Sequence, residues 1–190
     1  MLCEQYSKYF RFPEDFETKI NEYLKELYSW NEHTNLTSDE IETFIQKHLC
    51  FSLNFSFFIK DFDVVFDFGS GNGVPGIPLA VMFKEKTFVL VENKKRKIAF
   101  LEYITSHLKL DKVQVIDSSY QSCPPLTSNF CVIAKAFSDF KAMTKFFKKS
   151  FTLFLPLTDE TKIPPYAKVI SKTPDIMQTV NFYEIRVEVY

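Results

Sequence analysis

Glycine is nearly missing from this chain, with four among 190 residues, and histidine (three) and tryptophan (one) are as scarce. Cys3, Cys50, Cys123 and Cys131 show no C-x-x-C or metal-ligand spacing, and His33, His48 and His107 are scattered. No metal site is therefore expected, and the cysteines are expected to be free, reduced thiols. No apolar run reaches the roughly 18 residues of a membrane span, and the N-terminus lacks a basic-then-apolar leader pattern. That points to a cytoplasmic protein without membrane attachment, and its size to one globular unit, expected to be a monomer. A net charge of −1 offers no overall attraction for nucleic acid. The charge is unevenly spread, however. Residues 1–63 hold 6 Lys/Arg against 12 Asp/Glu, a balance of −6, and residues 84–149 hold 13 against 6, or +7. Such asymmetry suits an anionic partner approaching one face, and solvated lysines on exposed helices would look the same.

All four glycines fall within eight positions, Gly69, Gly71, Gly73 and Gly76. In a glycine-poor chain this marks a backbone that side chains would obstruct. The apolar run Val64–Phe68 before them reads as a buried parallel strand, and Pro78 suits the first turn of a helix after them. Strand, tight turn and helix in that order bring free backbone N–H groups to a ligand. Gly71-Asn-Gly73-Val-Pro-Gly76 matches the dinucleotide fingerprint G-x-G-x-x-G, yet its first glycine lies three residues beyond Phe68, where the turn should be complete. Counted from Gly69, the pattern Asp67-x-Gly-x-Gly-x-Gly resembles the first motif of methyltransferases that bind S-adenosylmethionine (SAM).

Around this turn the chain alternates strands and helices. Phe16, Ile20, Tyr23, Leu24, Leu27 and Trp30 repeat with helical spacing, and Thr37 with Glu40 reads as a capping box for a second helix carrying Ile41, Phe44, Ile45 and Leu49. Residues 1–60 are thus expected to form a helical extension packed on an α/β body of residues 61–190. After the glycine turn come strands over 87–92, 112–117, 130–134 and 151–155, helices over 94–108 and 139–149, a loop over 156–165, and a terminal hairpin. Glu92 ends the second strand 23 residues after Gly69, near the offset of roughly 20 at which a carboxylate meets ribose hydroxyls. Asn93 follows it, and Ser119 and Tyr120 follow the third strand, where an adenine ring would lie. Lys135 follows the fourth strand and faces the crevice if the sheet reverses order there.

Four stretches resemble the bacterial 16S rRNA guanine-N7 methyltransferases, the small-subunit methyltransferase G family once called glucose-inhibited division protein B. Trp30-Asn31 with Asn35-Leu36-Thr37 is similar to the family's W-N-x-x-x-N-L-T, and Lys47-His48 with Ser52-Leu53 to R-H-x-x-D-S-L. Asp67 to Ala80 is similar to D-x-G-S-G-x-G-x-P-G-I-P-L-A nearly throughout, and Lys95 to Leu101 to K-K-x-x-F-L. The resemblance implies a class I, Rossmann-like fold: a seven-stranded, mostly parallel sheet with helices on both faces. It implies SAM as cofactor, with Asp67, Gly69, Gly71, Gly73, Val74, Glu92, Asn93, Ser119, Tyr120 and Lys135 around it. It also implies 16S rRNA or the 30S subunit as partner and N7 of guanosine 527 of the 530 loop, in the usual rRNA numbering, as target. Phe51 stands where the family has Asp, Ser118-Ser119-Tyr120 where it has Arg-Ala-Glu, Ala134-Lys135-Ala136 where it has Ser-Arg-Ala, and Leu155-Pro156 where it has Lys-Gly.

Guanine N7 carries an exposed lone pair, so its methylation needs no general base, and the absence of a recognisable triad or metal set is in keeping. Lys135 is the residue expected to orient substrate or cofactor carboxylate. A nicotinamide-dependent oxidoreductase would use the same turn and Glu92 but would need a substrate domain with a catalytic His or Tyr. A relative that binds SAM or RNA without methylating, or that methylates another substrate, stays open.

Overall fold

The computed structural model describes residues 2–125, 129–136, 139–159, 162–176 and 179–189. Seven strands, β1 (Val64–Phe68), β2 (Thr87–Glu92), β3 (Val113–Asp117), β4 (Phe130–Ile133), β5 (Phe151–Leu157), β6 (Ala167–Pro174) and β7 (Asn181–Val187), form one sheet in the order β3-β2-β1-β4-β5-β7-β6. The first five are parallel, and β7 pairs antiparallel with both β5 and β6. Strand order reverses between β1 and β4, which opens a crevice beyond their carboxyl ends. This is the expected class I, Rossmann-like sheet.

The apolar runs that mark β1 and β2 are buried on both faces because helices cover both sides. One face carries α1 (Phe16–Thr34), α4 (Gly76–Met82) and α5 (Lys95–His107), and the other carries α6 (Phe140–Phe147), where Phe66 and Phe68 pack on Phe146 and Phe147. The N-terminal helices, α3 (Ser56–Ile59) among them, pack into the core on the α4 and α5 side: Trp30 meets the Phe100 ring at 5.5 Å, and the Tyr23 hydroxyl donates to the Asn72 carbonyl at 2.8 Å. None of the helices among the described residues is long and apolar enough to cross a membrane.

Three local expectations are corrected. Cys3 and Cys50 form a disulfide instead of remaining free, with their Cα atoms 5.1 Å apart, while Cys123 and Cys131 are free thiols. A turn over Glu4–Tyr6 brings the N-terminus back onto the helical segment, a contact across 47 residues that no spacing rule encodes. The capping box does not form: Thr37 Oγ1 accepts from the Asp39 N–H, and the next helix, α2 (Ile41–Phe44), starts after Glu40 and passes into a π-helical turn over Ile45–Cys50. β5 continues through Pro156, opposite Phe182, because its register with β4 ends at Phe154 and leaves the proline no N–H to supply on that side.

Candidate functional site

Beyond the ends of β1, β2 and β3 lies a cavity of about 710 Å³, within the range of small-molecule sites. Gly69, Glu92, Asn93, Ser119 and Tyr120 line it, joined by Lys94, Lys97, Lys145 and Lys148. Glu92, only 7% exposed, closes the site from β2: one carboxylate oxygen accepts from the Gly71 N–H at 2.9 Å, and the other from the N–H groups of Asn93 and Lys94 at 2.8 and 3.0 Å. The carboxylate thus ties the glycine turn to the end of β2 and keeps one lone pair, on the oxygen that faces Gly71, for a hydroxyl donor. Gly69, Gly71 and Gly73 all have positive φ, at 80°, 61° and 101°.

Asp67, Gly71, Gly73 and Val74 stand behind the cavity wall and build the turn. Asp67 is fully buried, with one carboxylate oxygen accepting from the Gly76 N–H at 3.0 Å and the other without a hydrogen-bond partner among the described residues. A Cβ on Gly73 would lie 2.5 Å from Ile77 Cδ1, and Val74 packs in the core. Tyr120 is 69% exposed at the cavity edge, and the Lys95 ammonium sits 4.3 Å from its ring centroid.

A second cavity of about 480 Å³ opens on the other side of Ala136, which lines both. Its walls include Lys47, Phe51, Lys135, Pro156 and Lys162. Phe51 is the outermost of four near-parallel rings, Phe154, Phe58, Phe182 and Phe51, with successive interplanar angles of 28°, 19° and 25°. Lys135 therefore does not line the first cavity but the second, and Nζ lies 5.4 Å from the Phe51 ring centroid.

A family model described as rRNA small subunit methyltransferase G matches residues 16–155. The chain belongs to that family. It is 28% identical over 182 residues to the ribosomal RNA small subunit methyltransferase G of Brachyspira hyodysenteriae, a match covering 95% of this chain and 85% of that protein. The enzyme of the same name from Coxiella burnetii is 38% identical over 116 residues, covering 60% of this chain and 56% of that protein. The chain thus spans little more than half of the Coxiella relative. Among solved structures, an O-methyltransferase from Bacillus cereus in complex with SAH superposes with a TM-score of 0.55 at 14% identity, over 98% of this chain and 96% of that one, a likeness of fold.

In this family member one acid that motif reading passed over stands beside the site. Asp117 ends β3 in register with Glu92, accepts from the Ser119 N–H at 2.9 Å and bonds Lys95 Nζ at 2.7 Å. The Lys95 hydrogen bond holds its carboxyl far below the usual range. Asp67, Glu92 and Asp117 fall at the ends of consecutive strands of one sheet, and that shared placement is the signal that would have found Asp117. Lys95, which opens the stretch similar to K-K-x-x-F-L, is engaged within the chain, and Lys94 and Lys97 face the cavity. His107, read as isolated, bonds Glu22 at 2.9 Å beside Glu26, whose carboxylate accepts from the Tyr103 hydroxyl, so this exposed cluster ties α1 to α5.

Burial pushes the Asp67 carboxyl up to about 7, and nearby Glu92 adds to it against the Gly76 and Ser70 hydrogen bonds and the Lys135 charge. A carboxyl that binds its proton more tightly folded than unfolded weakens the fold as pH rises from its unfolded value near 4 to about 7, with no further loss above. This carboxyl is therefore expected to lower the melting temperature of the ligand-free protein at pH 8 relative to pH 5, against His48, whose lowered pKa favours the fold at the higher pH. Asp67→Asn, whose side-chain carbonyl still accepts from Gly76, should remove on the order of 3 kcal/mol of that difference. Parallel melting curves of the two proteins across this range would contradict the assignment.

Proposed function

We propose that this chain transfers a methyl group from SAM to N7 of a guanine in 16S rRNA. The observation that carries the reading is the pair of cavities meeting at Ala136, one closed by Glu92 and the glycine turn, the other walled by Phe51 and Lys135, both rimmed by lysines. The first cavity suits SAM: Glu92 has a lone pair left for a ribose hydroxyl, Ser119 and Tyr120 lie where the adenine would rest, and Gly69 presents backbone without a side chain. SAM supplies a methyl group on a sulfonium when bound. The chain's residues need then only hold and align, because N7 brings its own lone pair and has no proton to lose.

The second cavity receives the guanine. Phe51 offers a ring face that continues an aromatic stack, the way unpaired RNA bases are usually held. Lys94, Lys97, Lys145 and Lys148 around the first cavity and Lys47 and Lys162 around the second supply positive charge for phosphates, which position RNA without reading its sequence. Lys135 stands at the wall of the base cavity and orients the substrate.

Tritiated SAM incubated with small subunits lacking this methylation should label 16S rRNA, and mapping should find the label on guanine N7. SAM binding without transfer would indicate a binding module, and label elsewhere another substrate. Lys135→Ala should lower the transfer rate by about tenfold or more while changing the SAM dissociation constant less than twofold. Equal losses in calorimetry and in turnover would place Lys135 on the cofactor instead.

A further inference from the structure

Lys135 is held from outside the α/β body. Its Nζ lies 2.5 Å from His48 Nδ1 and 3.3 Å from the Lys47 carbonyl, and His48 Nε2 lies 2.6 Å from Asp39 Oδ2. An ammonium group has three donors and no acceptor, so the contact requires a lone pair on Nδ1. His48 is then the Nε2–H tautomer, donating to Asp39. We propose that Asp39 and His48 are positioning residues for Lys135, an Asp–His–Lys chain that reaches from the N-terminal helices to the wall of the base cavity. This rests on the reading of that cavity as the guanine site.

The members are themselves anchored. The loop bearing Asp39 is fastened by the Tyr28 hydroxyl, which donates to the Asp39 carbonyl at 2.7 Å, and by Asn31, whose side chain bonds Leu36 and Thr37. His48 sits in the π-helical turn over Ile45–Cys50, packs 5.2 Å from the Phe44 ring, and its carbonyl accepts from Ser52 Oγ at 2.6 Å. Such turns inside helices are frequent at functional sites. The arrangement also accounts for a departure from the family pattern. With Phe51 in place of an acid and Lys135 in place of an arginine, Asp39, acting through an imidazole, joins Asp67 as the negative charge serving position 135.

The groups facing this chain set its response to pH. Burial holds Lys135 down to about 8, with Asp67 from β1 and Asp39 acting the other way. Burial also lowers His48 below its usual 6.5, Lys135 and Lys47 add to that, and Asp39 opposes it. Lys162 lies across the base cavity. A proton on Nδ1 would remove the acceptor and set a second cation against Lys135, so the chain is intact at neutral pH and breaks as pH falls below 6.5.

The test compares the native chain with His48→Gln and Asp39→Asn, the latter a partly exposed residue whose change leaves the core untouched. Transfer to small-subunit RNA is followed from pH 5 to 8.5, SAM binding by calorimetry, and the ring nitrogens of His48 by NMR in the ligand-free protein. The native chain should show an acid limb in kcat below pH 6.5. Asp39→Asn should move that limb to lower pH, and His48→Gln should erase it and lower kcat by about tenfold with SAM binding unchanged within twofold. Limbs and kcat values alike in all three proteins would overturn the proposal. If no protein transfers methyl, the function reading fails and the NMR signal decides alone. A bare Nδ1 whose resonance shifts on Lys135→Ala upholds the chain, and a protonated or unresponsive Nδ1 overturns it.

Discussion

Glu92→Ala is expected to lower SAM affinity by about a hundredfold or more and to destabilise the ligand-free fold. The carboxylate has two tasks at once. It presents a lone pair to the first cavity, and it accepts the N–H groups of Gly71, Asn93 and Lys94 in a nearly buried position. Alanine would strand three backbone donors, each costing roughly 1–3 kcal/mol where water cannot reach it. It would also free the glycine turn from the end of β2, so the cofactor would meet a loop that must first be ordered. Glu92→Gln separates the tasks. Its carbonyl oxygen can keep the Asn93 and Lys94 bonds, but the amide turns a donor toward the Gly71 N–H, so turn and affinity should suffer while the β2 end holds. Calorimetric titration with SAM and melting curves of the three proteins give the answer, and native affinity in Glu92→Ala would remove this residue from the cofactor site.

Gly76→Ala should cost the fold about 3 kcal/mol or more, because the added carbon has nowhere to go. Its Cβ would fall 2.4 Å from Leu90 Cδ2, 2.7 Å from Asp67 Oδ2 and 3.2 Å from Asp67 Cβ. Either α4 backs away from the sheet or the buried Asp67 carboxylate loses the Gly76 N–H that it accepts. For a domain of this size each kcal/mol corresponds to roughly 2–4 °C of melting temperature, so a drop of about 6–12 °C is expected. Gly71→Ala is the control. There the nearest atom to a Cβ is Lys97 Nζ at 3.6 Å, and only the positive φ of 61° is unfavourable, which costs roughly 1–2 kcal/mol. Similar melting points for the two variants would show that packing between α4 and β2 is looser than the geometry states.

Both predictions concern a turn that is legible in the amino-acid order. Four glycines gathered after a five-residue apolar strand, an acid inside that strand and another at the next strand's end belong to local patterns with short reach, and β1 and β2 appear at the expected bounds. Strand alternation was equally readable, since runs buried on both faces stay apolar throughout. Less was readable at the ends of elements. The Thr37–Glu40 pattern satisfies a helix-start rule, yet Thr37 closes a turn around Asp39 because that loop is pulled toward Tyr28 and Asn31.

What sequence alone determined, then, is the strands β1 and β2 with the glycine turn between them, the carboxylate of Glu92 and the membership that the motifs announce, all set by neighbours within a few tens of residues. Tertiary structure alone decided the rest: the Cys3–Cys50 bond, the register of Asp117 beside Glu92, the ring stack ending at Phe51, and the meeting of Asp39 and His48 with Lys135. These join residues up to 131 positions apart, Phe51 with Phe182 in the ring stack. Their proximity follows from how helices settle on a sheet to bury apolar faces, and the polar contacts form where that packing happens to leave them.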